Sequence, residues 1–348
     1  AKIGCRPEYP LPQMNRILTH AVLLALAMTL PTAVKAGGFA QREDVREFIE
    51  EMREKHGFDS GRLARLFSQA QPQPKAIKAI MPPADPSVRS WQAYRARFIE
   101  PSRIEGGLRF WEANSQALDA AQSRYGVPGE IIVAIIGIET IYGRNAGKFP
   151  AFATLATLAF DYPPRAELFR SELEALLLLA RESRRNPLAY TGSYAGALGI
   201  PQFLPSSIRN WGVDFDGDGQ VDLAGSTLDA IGSVANFLAS HGWETGSPIA
   251  APASVTGERF AELINAGILP RFLPVEMIAY GVSPAADAPQ QPCALIDLGT
   301  PSGMTEYWLG YRNFYVITRY NRSSFYAMAV YTLSRELRTE REARLAKR

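Results

Sequence analysis

The sequence predicts a mainly α-helical fold of the α+β type, with a small β-containing portion towards the C-terminus. Apolar residues recur at helical spacing through much of residues 37–245, and the segment 131–138 is apolar on every face. Beyond Gly246, recurring prolines interrupt any long helix until residue 325. The chain has 348 residues, of which 47% are hydrophobic, so it can build one large domain or two to three lobes with separate cores.

Residues 14–36 have the pattern of a cleavable export signal, and residues 1–13 form an upstream extension. Met14 and Arg16 precede a mostly apolar run from Ala21 to Leu30, and the small residues up to Ala36 suit cleavage after that alanine. The run is too short to span a membrane as a helix, and a buried core helix is the alternative interpretation. No cysteine follows it closely, so lipid anchoring is not indicated. We expect a periplasmic protein without a transmembrane segment in the mature chain.

The composition argues against several kinds of site. The formal net charge is +2 and no long basic run is present, so nucleic-acid binding is not implied. The chain has two cysteines, Cys5 and Cys293, and three histidines, which makes a zinc site or a Cys–His nucleophile unexpected. Because Cys5 would leave with the signal, Cys293 should form no intrachain disulfide.

The order of these patterns predicts five segments along the chain. The second carries helical hairpins, with Ser60 as a helix cap and a proline-rich connection over 71–86. In the fourth, residues 294–298 and 314–318 are predicted as strands. The segments are 1–36, upstream extension and signal peptide; 37–126, helical lobe; 127–247, a core unit that holds the apolar helix; 248–324, small β-containing lobe; and 325–348, a C-terminal helix packing back on the helical lobe.

Glu139 stands at the end of the apolar segment 131–138, on a helix that should be buried. Burial disfavours the charged carboxylate, and the negative end of the helix before Gly143 acts in the same direction. Such a carboxyl group suits general acid catalysis near neutral pH. The alternative is a structural glutamate paired with an arginine such as Arg144.

Four segments together closely resemble the lytic murein transglycosylase B family, whose members cleave the glycan strands of peptidoglycan. The signal is a buried glutamate followed about fifty residues later by a small-residue run with the pattern G-S-[FY]-A-G-A-x-G-x-x-Q-F-x-P-S-S. The resemblance extends over roughly Phe39 to Leu337 and is densest between Val127 and Trp243. The four segments are 136–143, 192–207, 229–236 and 317–323.

The resemblance implies a lysozyme-like catalytic core in which Glu139 matches the catalytic acid. Sugars present hydroxyl edges and apolar faces, so amide and hydroxyl groups beside aromatic rings suit a sugar cleft. For the aromatic residues, packing in the core is the alternative. The residues that match cleft positions of the family are Ser193, Gln202, Phe203, Tyr320, Asn321 and Tyr326.

Most glycosidases use two carboxylates, but no second acid lies close in sequence in an equally buried setting. Asp161, the nearest, precedes prolines that indicate a loop with a solvated or capping aspartate. The resemblance implies that one glutamate cleaves the MurNAc-GlcNAc β-1,4 bond and leaves a 1,6-anhydro-MurNAc end. The alternatives are a non-catalytic peptidoglycan-binding protein and a muramidase that uses water. Glycan strands are the expected partner, and other cell-wall enzymes are further candidates.

Residues 214–220 match the first half of an EF-hand calcium loop. The twelfth position is Gly225, so the usual bidentate glutamate is missing. The resemblance implies that an aspartate further along closes the site, and a solvated Asp/Gly turn is the alternative. We expect a weak structural Ca²⁺ site, with a dissociation constant of roughly 0.1–1 mM, and no organic cofactor. The predicted ligands are Asp214, Asp216, Asp218, Gln220 and Asp229.

Overall fold

The computed structural model describes residues 38–82, 89–301 and 303–347. The predicted signal peptide, its cleavage after Ala36 and Cys5 lie outside the described residues. Within the described ranges, no helix combines the length and the apolar character that a membrane crossing requires.

Helices make up most of the regular structure in the described part of the chain. Their amphipathic or fully apolar patterns agree with the predicted mainly α class. In chain order they are α1 (Glu43–His56), α2 (Ser60–Gln69), α3 (Pro74–Ile80), α4 (Trp91–Phe98), α5 (Pro101–Ala113), α6 (Ser115–Tyr125), α7 (Gly129–Thr140), α8 (Ala151–Asp161), α9 (Ala166–Glu182), α10 (Pro205–Trp211), α11 (Thr227–Ser240), α12 (Phe260–Asn265), α13 (Pro274–Met277), α14 (Arg312–Tyr320) and α15 (Ser324–Leu345).

Two small antiparallel sheets accompany these helices. The first pairs β1 with β2, and the second has the strand order β4-β3-β6-β5. The predicted strand at 294–298 is confirmed as β5, whose Ile296 lies opposite Trp308 of β6. The strands are β1 (Phe149–Pro150), β2 (Thr191–Gly192), β3 (Ala250–Val255), β4 (Val282–Pro284), β5 (Ala294–Leu298) and β6 (Glu306–Gly310).

The second predicted strand, 314–318, is wrong because these residues belong to helix α14. The β-branched residues in this run favoured a strand, yet Phe314 and Ile317 lie three positions apart and are both fully buried. That spacing places them on one helical face, and α14 packs against α11 and α15. The side chain of Asn313 also bonds the backbone of Glu244 and thereby fixes the start of the helix.

Two local details of the helical segment also differ from expectation. Asp59 rather than Ser60 caps α2, since its carboxylate accepts the backbone N–H of Arg62 at 2.6 Å. The proline-rich connection contains helix α3, which has Pro74 at its first position, where a missing N–H is harmless.

Helix α7 lies at the centre of the main core. It packs against α5, α6, α11 and α15, and its residues 131–138 are all buried, as the apolar pattern predicts. Helix α15 also contacts α4 and α5. A second core under the four-stranded sheet includes Leu295, Leu309 and the free thiol of Cys293. The division into five segments stays a prediction.

The ring of Tyr142 fits between α5 and α7 because both helices carry glycine where they face it. A Cβ atom added to Gly107 or Gly137 would lie 2.5 Å or 2.6 Å from the Tyr142 hydroxyl oxygen. That hydroxyl donates to the backbone oxygen of Arg103 at 2.8 Å, and the Arg103 guanidinium donates to the Gly137 carbonyl. The last turn of α7 is therefore fixed to α5 by close packing and by hydrogen bonds.

We predict that Gly137→Ala lowers the free energy of unfolding by about 1–3 kcal/mol, because the added methyl group would force the Tyr142 ring out of its place. Gly61→Ala, on the exposed start of α2, is the control and should raise stability by up to about 1 kcal/mol through helix propensity. Urea unfolding of both variants measures the difference. Equal midpoints for Gly137→Ala and the wild type would contradict this packing account.

Candidate active site

Glu139 sits one residue before the end of α7, at a point where the backbone takes an uncommon conformation. Ile141 and Tyr142 follow with φ angles of 53° and 61°, a left-handed region that β-branched and bulky residues rarely adopt. Thr140 holds this turn, since its hydroxyl donates to the backbone oxygen of Ile200 at 2.8 Å. Strained backbone of this kind persists where the surroundings fix it, and it is frequent at functional sites.

The carboxyl group of Glu139 has one hydrogen-bond partner among the described residues. The Tyr326 hydroxyl donates to Glu139 Oε1 at 2.7 Å. Burial raises the pKa of Glu139 to about 7, and the hydrogen bond from Tyr326 opposes this to a smaller extent. The side chain nevertheless keeps partial solvent exposure. The carboxyl group is therefore desolvated but reachable, as a general acid must be.

The alternative of a structural ion pair with Arg144 does not fit the geometry. Arg144 Nε donates to the backbone oxygen of Ile141 at 3.1 Å. In the described ranges, no arginine, lysine or histidine forms a salt bridge with Glu139, and no cation contributes to the shift of its pKa.

Aromatic rings from the C-terminal segment cover the region beside Glu139. Tyr320 and Tyr326 are stacked, with ring centroids 6.2 Å apart, and Tyr320 also contacts Phe203 at 5.6 Å. Burial and the negative charge of Glu139 raise the pKa of both tyrosines well above the usual value, so both remain hydroxyl donors. The structure thus brings Phe203, Tyr320 and Tyr326 together around Glu139. Phe203 is only 3% exposed, so it supports the cleft from within the core.

The polar residues of the small-residue loop are partly used in holding the loop itself. The Ser193 hydroxyl accepts the N–H groups of Ala195 and Ala197. Gln202 has a φ angle of 54°, and its amide nitrogen donates to the backbone oxygens of Ala146 and Gly199 at 3.0 Å and 2.8 Å. Among described residues, no donor reaches the Gln202 amide oxygen, which leaves it available to a ligand.

Asn321 and Tyr94 complete the surroundings of the site in different ways. Asn321 lies on the exposed turn between α14 and α15. Tyr94 of α4 was missed from the sequence; burial raises its pKa to about 12, and the negative charge of Glu139 adds to this. Helical spacing places Trp91, Tyr94 and Phe98 on one face of α4, but it does not indicate that this face lies near Glu139.

One further buried acid, which the sequence did not reveal, is Glu172 of α9, which is only 4% exposed. Its two carboxylate oxygens accept the backbone N–H of Ser206 at 3.0 Å and the Ser206 hydroxyl at 2.6 Å. It therefore caps the start of α10. Burial raises its pKa. Asp161, the other acid considered, forms a salt bridge with Arg42 at 2.5 Å.

Three of the five predicted metal ligands converge. Oxygen atoms of Asp214, Asp216 and Asp229 lie within 4.8 Å of one another. Asp229 is 1% exposed, and its carboxylate accepts three backbone N–H groups from the loop. Asp218 lies outside this group, and its carboxylate accepts the N–H of Gln220 at 2.8 Å.

This carboxylate group fits a hard divalent cation. In the part of the chain that the structure describes, no lysine or arginine forms a salt bridge with Asp214, Asp216 or Asp229, although the neighbouring Asp222 pairs with Arg185. Three converging carboxylates without a cationic side chain repel one another, and oxygen ligands of this type suit Ca²⁺.

Comparison with known proteins identifies relatives that match most of the described region. The family described as Transglycosylase SLT domain matches residues 40–335. The chain is 41% identical over 307 residues to membrane-bound lytic murein transglycosylase B of Escherichia coli strain K12, which covers 85% of this chain and 83% of that protein.

Solved structures agree with the fold class. Soluble lytic transglycosylase SltB1 from Pseudomonas aeruginosa is 45% identical, with a TM-score of 0.79 over 86% of this chain and 99% of that one. Lytic transglycosylase Slt35 of E. coli, solved in complex with calcium, is 40% identical, with a TM-score of 0.76 over 88% and 96% of the two chains. The mainly α fold with small antiparallel sheets is thereby confirmed, and the chain belongs to the lytic murein transglycosylase B family of Transglycosylase SLT domain proteins.

Proposed function

We propose that Glu139 is the single acid and base with which this peptidoglycan lytic transglycosylase cleaves the MurNAc-GlcNAc β-1,4 bond. The observation that carries the proposal is the environment of its carboxyl group. That group is desolvated, has a pKa of about 7, and lies next to a tyrosine hydroxyl with no cationic partner among the described residues. A group with this pKa is present in both protonation states at neutral pH, which a combined acid and base requires.

In the first step, protonated Glu139 donates its proton to the glycosidic oxygen. The Tyr326 hydroxyl occupies Oε1 as a donor, so the carboxyl proton belongs on Oε2, which accepts no hydrogen bond from a described residue. Cleavage of the bond leaves positive charge on the anomeric carbon and a negative carboxylate on Glu139. The hydrogen bond from Tyr326 stabilises that carboxylate.

In the second step, the Glu139 carboxylate accepts the proton of the sugar's own C6 hydroxyl, whose oxygen attacks the anomeric carbon. The product is a 1,6-anhydro-MurNAc end and no water is consumed. Both other acids that were considered as partners are engaged elsewhere, Glu172 with Ser206 and Asp161 with Arg42. This supports a one-carboxylate mechanism over a muramidase that uses two, and a buried unpaired acid would serve no purpose in a non-catalytic binder.

The proposed cleft residues position the sugar for the internal attack. Ser193 and Gln202 border a loop of small residues that lets the backbone approach a sugar closely. The free amide oxygen of Gln202 can accept a sugar hydroxyl or N-acetyl N–H. Tyr320 supplies partly exposed aromatic surface, Phe203 and Tyr326 support it from within the core, and Asn321 supplies an exposed amide. Correct placement of the C6 hydroxyl supplies much of the rate in a reaction of this type.

A structural calcium ion is the second part of the proposal. Asp214, Asp216 and Asp229 would hold it, with Asp218 and Gln220 as the remaining ligands expected from the loop pattern. The ion would neutralise the converging carboxylates and stabilise the loop before α11. The related Slt35 was solved in complex with calcium.

We also propose a periplasmic location. The substrate is peptidoglycan, and residues 14–36 have the pattern of a cleavable export signal. Partnership with other cell-wall enzymes stays a prediction.

We predict that Glu139→Gln lowers kcat on purified peptidoglycan by at least about a hundredfold, because it removes the titrating proton but keeps the volume of the side chain. Glu130→Gln, on the opposite end of the same helix, is the matched control and should retain activity. Mass analysis of the digests should find 1,6-anhydro ends with the wild type. Near-normal turnover by Glu139→Gln would remove it from the mechanism, and reducing ends would indicate hydrolysis by water.

Glu139→Gln should also become more stable relative to the wild type as the pH rises from 4.5 to about 7. The folded-state pKa of Glu139 lies above its ordinary value of 4.5, so this group favours the folded state below pH 4.5 and loses that advantage as the pH rises towards about 7. Between these two pH values, the stability of Glu139→Gln relative to wild type should rise by up to about 3 kcal/mol. Urea unfolding at pH 5 and pH 8 measures this, and a constant difference would contradict the raised pKa.

Tyr326→Phe should move the alkaline limb of the pH profile of kcat/KM to higher pH. The hydrogen bond from Tyr326 lowers the pKa of Glu139, so its loss leaves the acid protonated to higher pH. The maximum rate should also fall, because the carboxylate formed in the first step loses its donor. Tyr331→Phe is the control, because Tyr331 lies on the same helix as Tyr326 but its hydroxyl donates to the backbone oxygen of Ala250 in β3. A shift of the limb to lower pH would refute the assigned role.

Calcium at 10 mM should raise the free energy of unfolding by about 1.4–2.7 kcal/mol, as expected for a site with a dissociation constant of roughly 0.1–1 mM. Asp216→Asn should abolish this gain, whereas Asp222→Asn, in the same loop but paired with Arg185, should keep it. Initial rates at moderate temperature should change little with chelator. Equal calcium responses of the two variants would place the ion elsewhere.

A further inference from the structure

Arg103 of α5 is a buried cation that stability alone does not explain. Within the described ranges it is the one lysine or arginine that is buried, with 7% exposure. The carboxylate of Glu100 lies 3.9 Å from its Nη2, and that acidic side chain is 46% exposed. Its buried Nε donates to no described residue. A buried cation without a full ion pair costs free energy, and apolar side chains often replace such charges with little loss of stability.

The Arg103 guanidinium connects two helices that both approach Glu139. Nη1 donates to the backbone oxygen of Gly137 in the last turn of α7, two residues before the acid. Nη2 donates to the backbone oxygen of Arg97 at 3.3 Å, in the last turn of α4. The planar group also lies over the ring of Phe98, with its central carbon 5.3 Å from the ring centroid. One rigid fork therefore fixes the end of α4 against the end of α7.

The position of α4 matters because this helix carries Tyr94 beside the acid. Burial and, to a smaller extent, the charge of Glu139 raise the pKa of Tyr94, so the two side chains lie near each other. The backbone of Arg103 also takes part, since its oxygen accepts the Tyr142 hydroxyl at 2.8 Å. The pKa of Glu139 itself responds to burial and to Tyr326 and not to the charge of Arg103. Arg103 therefore bears on where the acid lies and not on its charge.

Resting on the assignment of Glu139 as the catalytic acid, we propose that Arg103 is a positioning residue for the cleavage reaction. By holding the Gly137 carbonyl against α4, it keeps the Glu139 carboxyl group at the glycosidic oxygen without touching the substrate. An error of about 1 Å in the placement of a reacting group can cost on the order of a hundredfold in rate. The Gly137 oxygen also accepts the backbone N–H of Ile141 at 3.2 Å, so removal of the guanidinium leaves this carbonyl with a partner.

The test measures kcat and KM on purified peptidoglycan, well below the melting temperature, together with urea unfolding. Arg103→Met removes both hydrogen bonds but keeps an unbranched side chain, and Arg103→Lys keeps a cationic donor without the fork. Arg109→Met is the charge control, because Arg109 is exposed on the same helix and pairs with Glu105. Leu295→Ala, in the second core, is the control for lost stability. Glu139→Gln tests the acid itself.

We expect Arg103→Met to lower kcat by about ten- to a hundredfold with KM within about twofold of the wild type, because the groups that contact the sugar stay in place. Arg103→Lys should retain more of kcat than Arg103→Met, whereas Arg109→Met and Leu295→Ala should keep the wild-type kcat.

Three results would overturn the positioning role and leave the assignment of the acid intact. They are a kcat of Arg103→Met within about twofold of the wild type, a rise in KM alone, and an equal fall of kcat in Leu295→Ala. Normal turnover by Glu139→Gln would instead overturn the proposed function.

Discussion

The site depends on one carboxyl group whose charge has no cationic partner. Glu139 ends a helix whose other residues are almost all buried and apolar, and burial dominates its pKa. A nearby arginine would lower that pKa and leave the group ionised at neutral pH. Arg103 and Arg144 both lie near this turn. Their guanidinium groups donate to the backbone oxygens of Gly137 and Ile141 and not to the Glu139 carboxylate. Because no positive charge of the described residues lies beside this carboxyl group, its pKa stays at about 7 and it can act as a general acid at neutral pH.

Elements far apart in the chain cooperate to maintain this environment. Tyr326 reaches Glu139 from a helix that starts 185 residues later, after the small sheet has been completed. Thr140 bonds the loop that carries Gln202, so the turn after the acid and the cleft loop are fixed together. Tyr142 does the same on the opposite side, towards α5. Each of these contacts is long-range, which makes the site a property of the folded chain rather than of one motif.

The sequence predicted the parts that depend on local pattern and missed those that depend on tertiary contact. The apolar run before Glu139 and the alternating aspartates around Asp216 are regular enough to predict a buried acid and an acidic loop. Residues 314–318 were assigned to the wrong element because β-branched residues suit both a strand and a buried helical face. The burial of Glu172 and the nearness of Tyr94 to the acid could not be read from spacing, because partners on other helices create both.

The most direct test of the account is a titration of the Glu139 carboxyl group in the wild-type protein. Carbon-13 NMR of protein labelled at glutamate side-chain carboxyls gives its pKa, with the resonance assigned by its absence in Glu139→Gln. The account predicts a midpoint near pH 7, well separated from the exposed glutamates. A midpoint near the ordinary value of 4.5 would contradict it, because the acid would then be ionised at neutral pH and could not protonate the glycosidic oxygen.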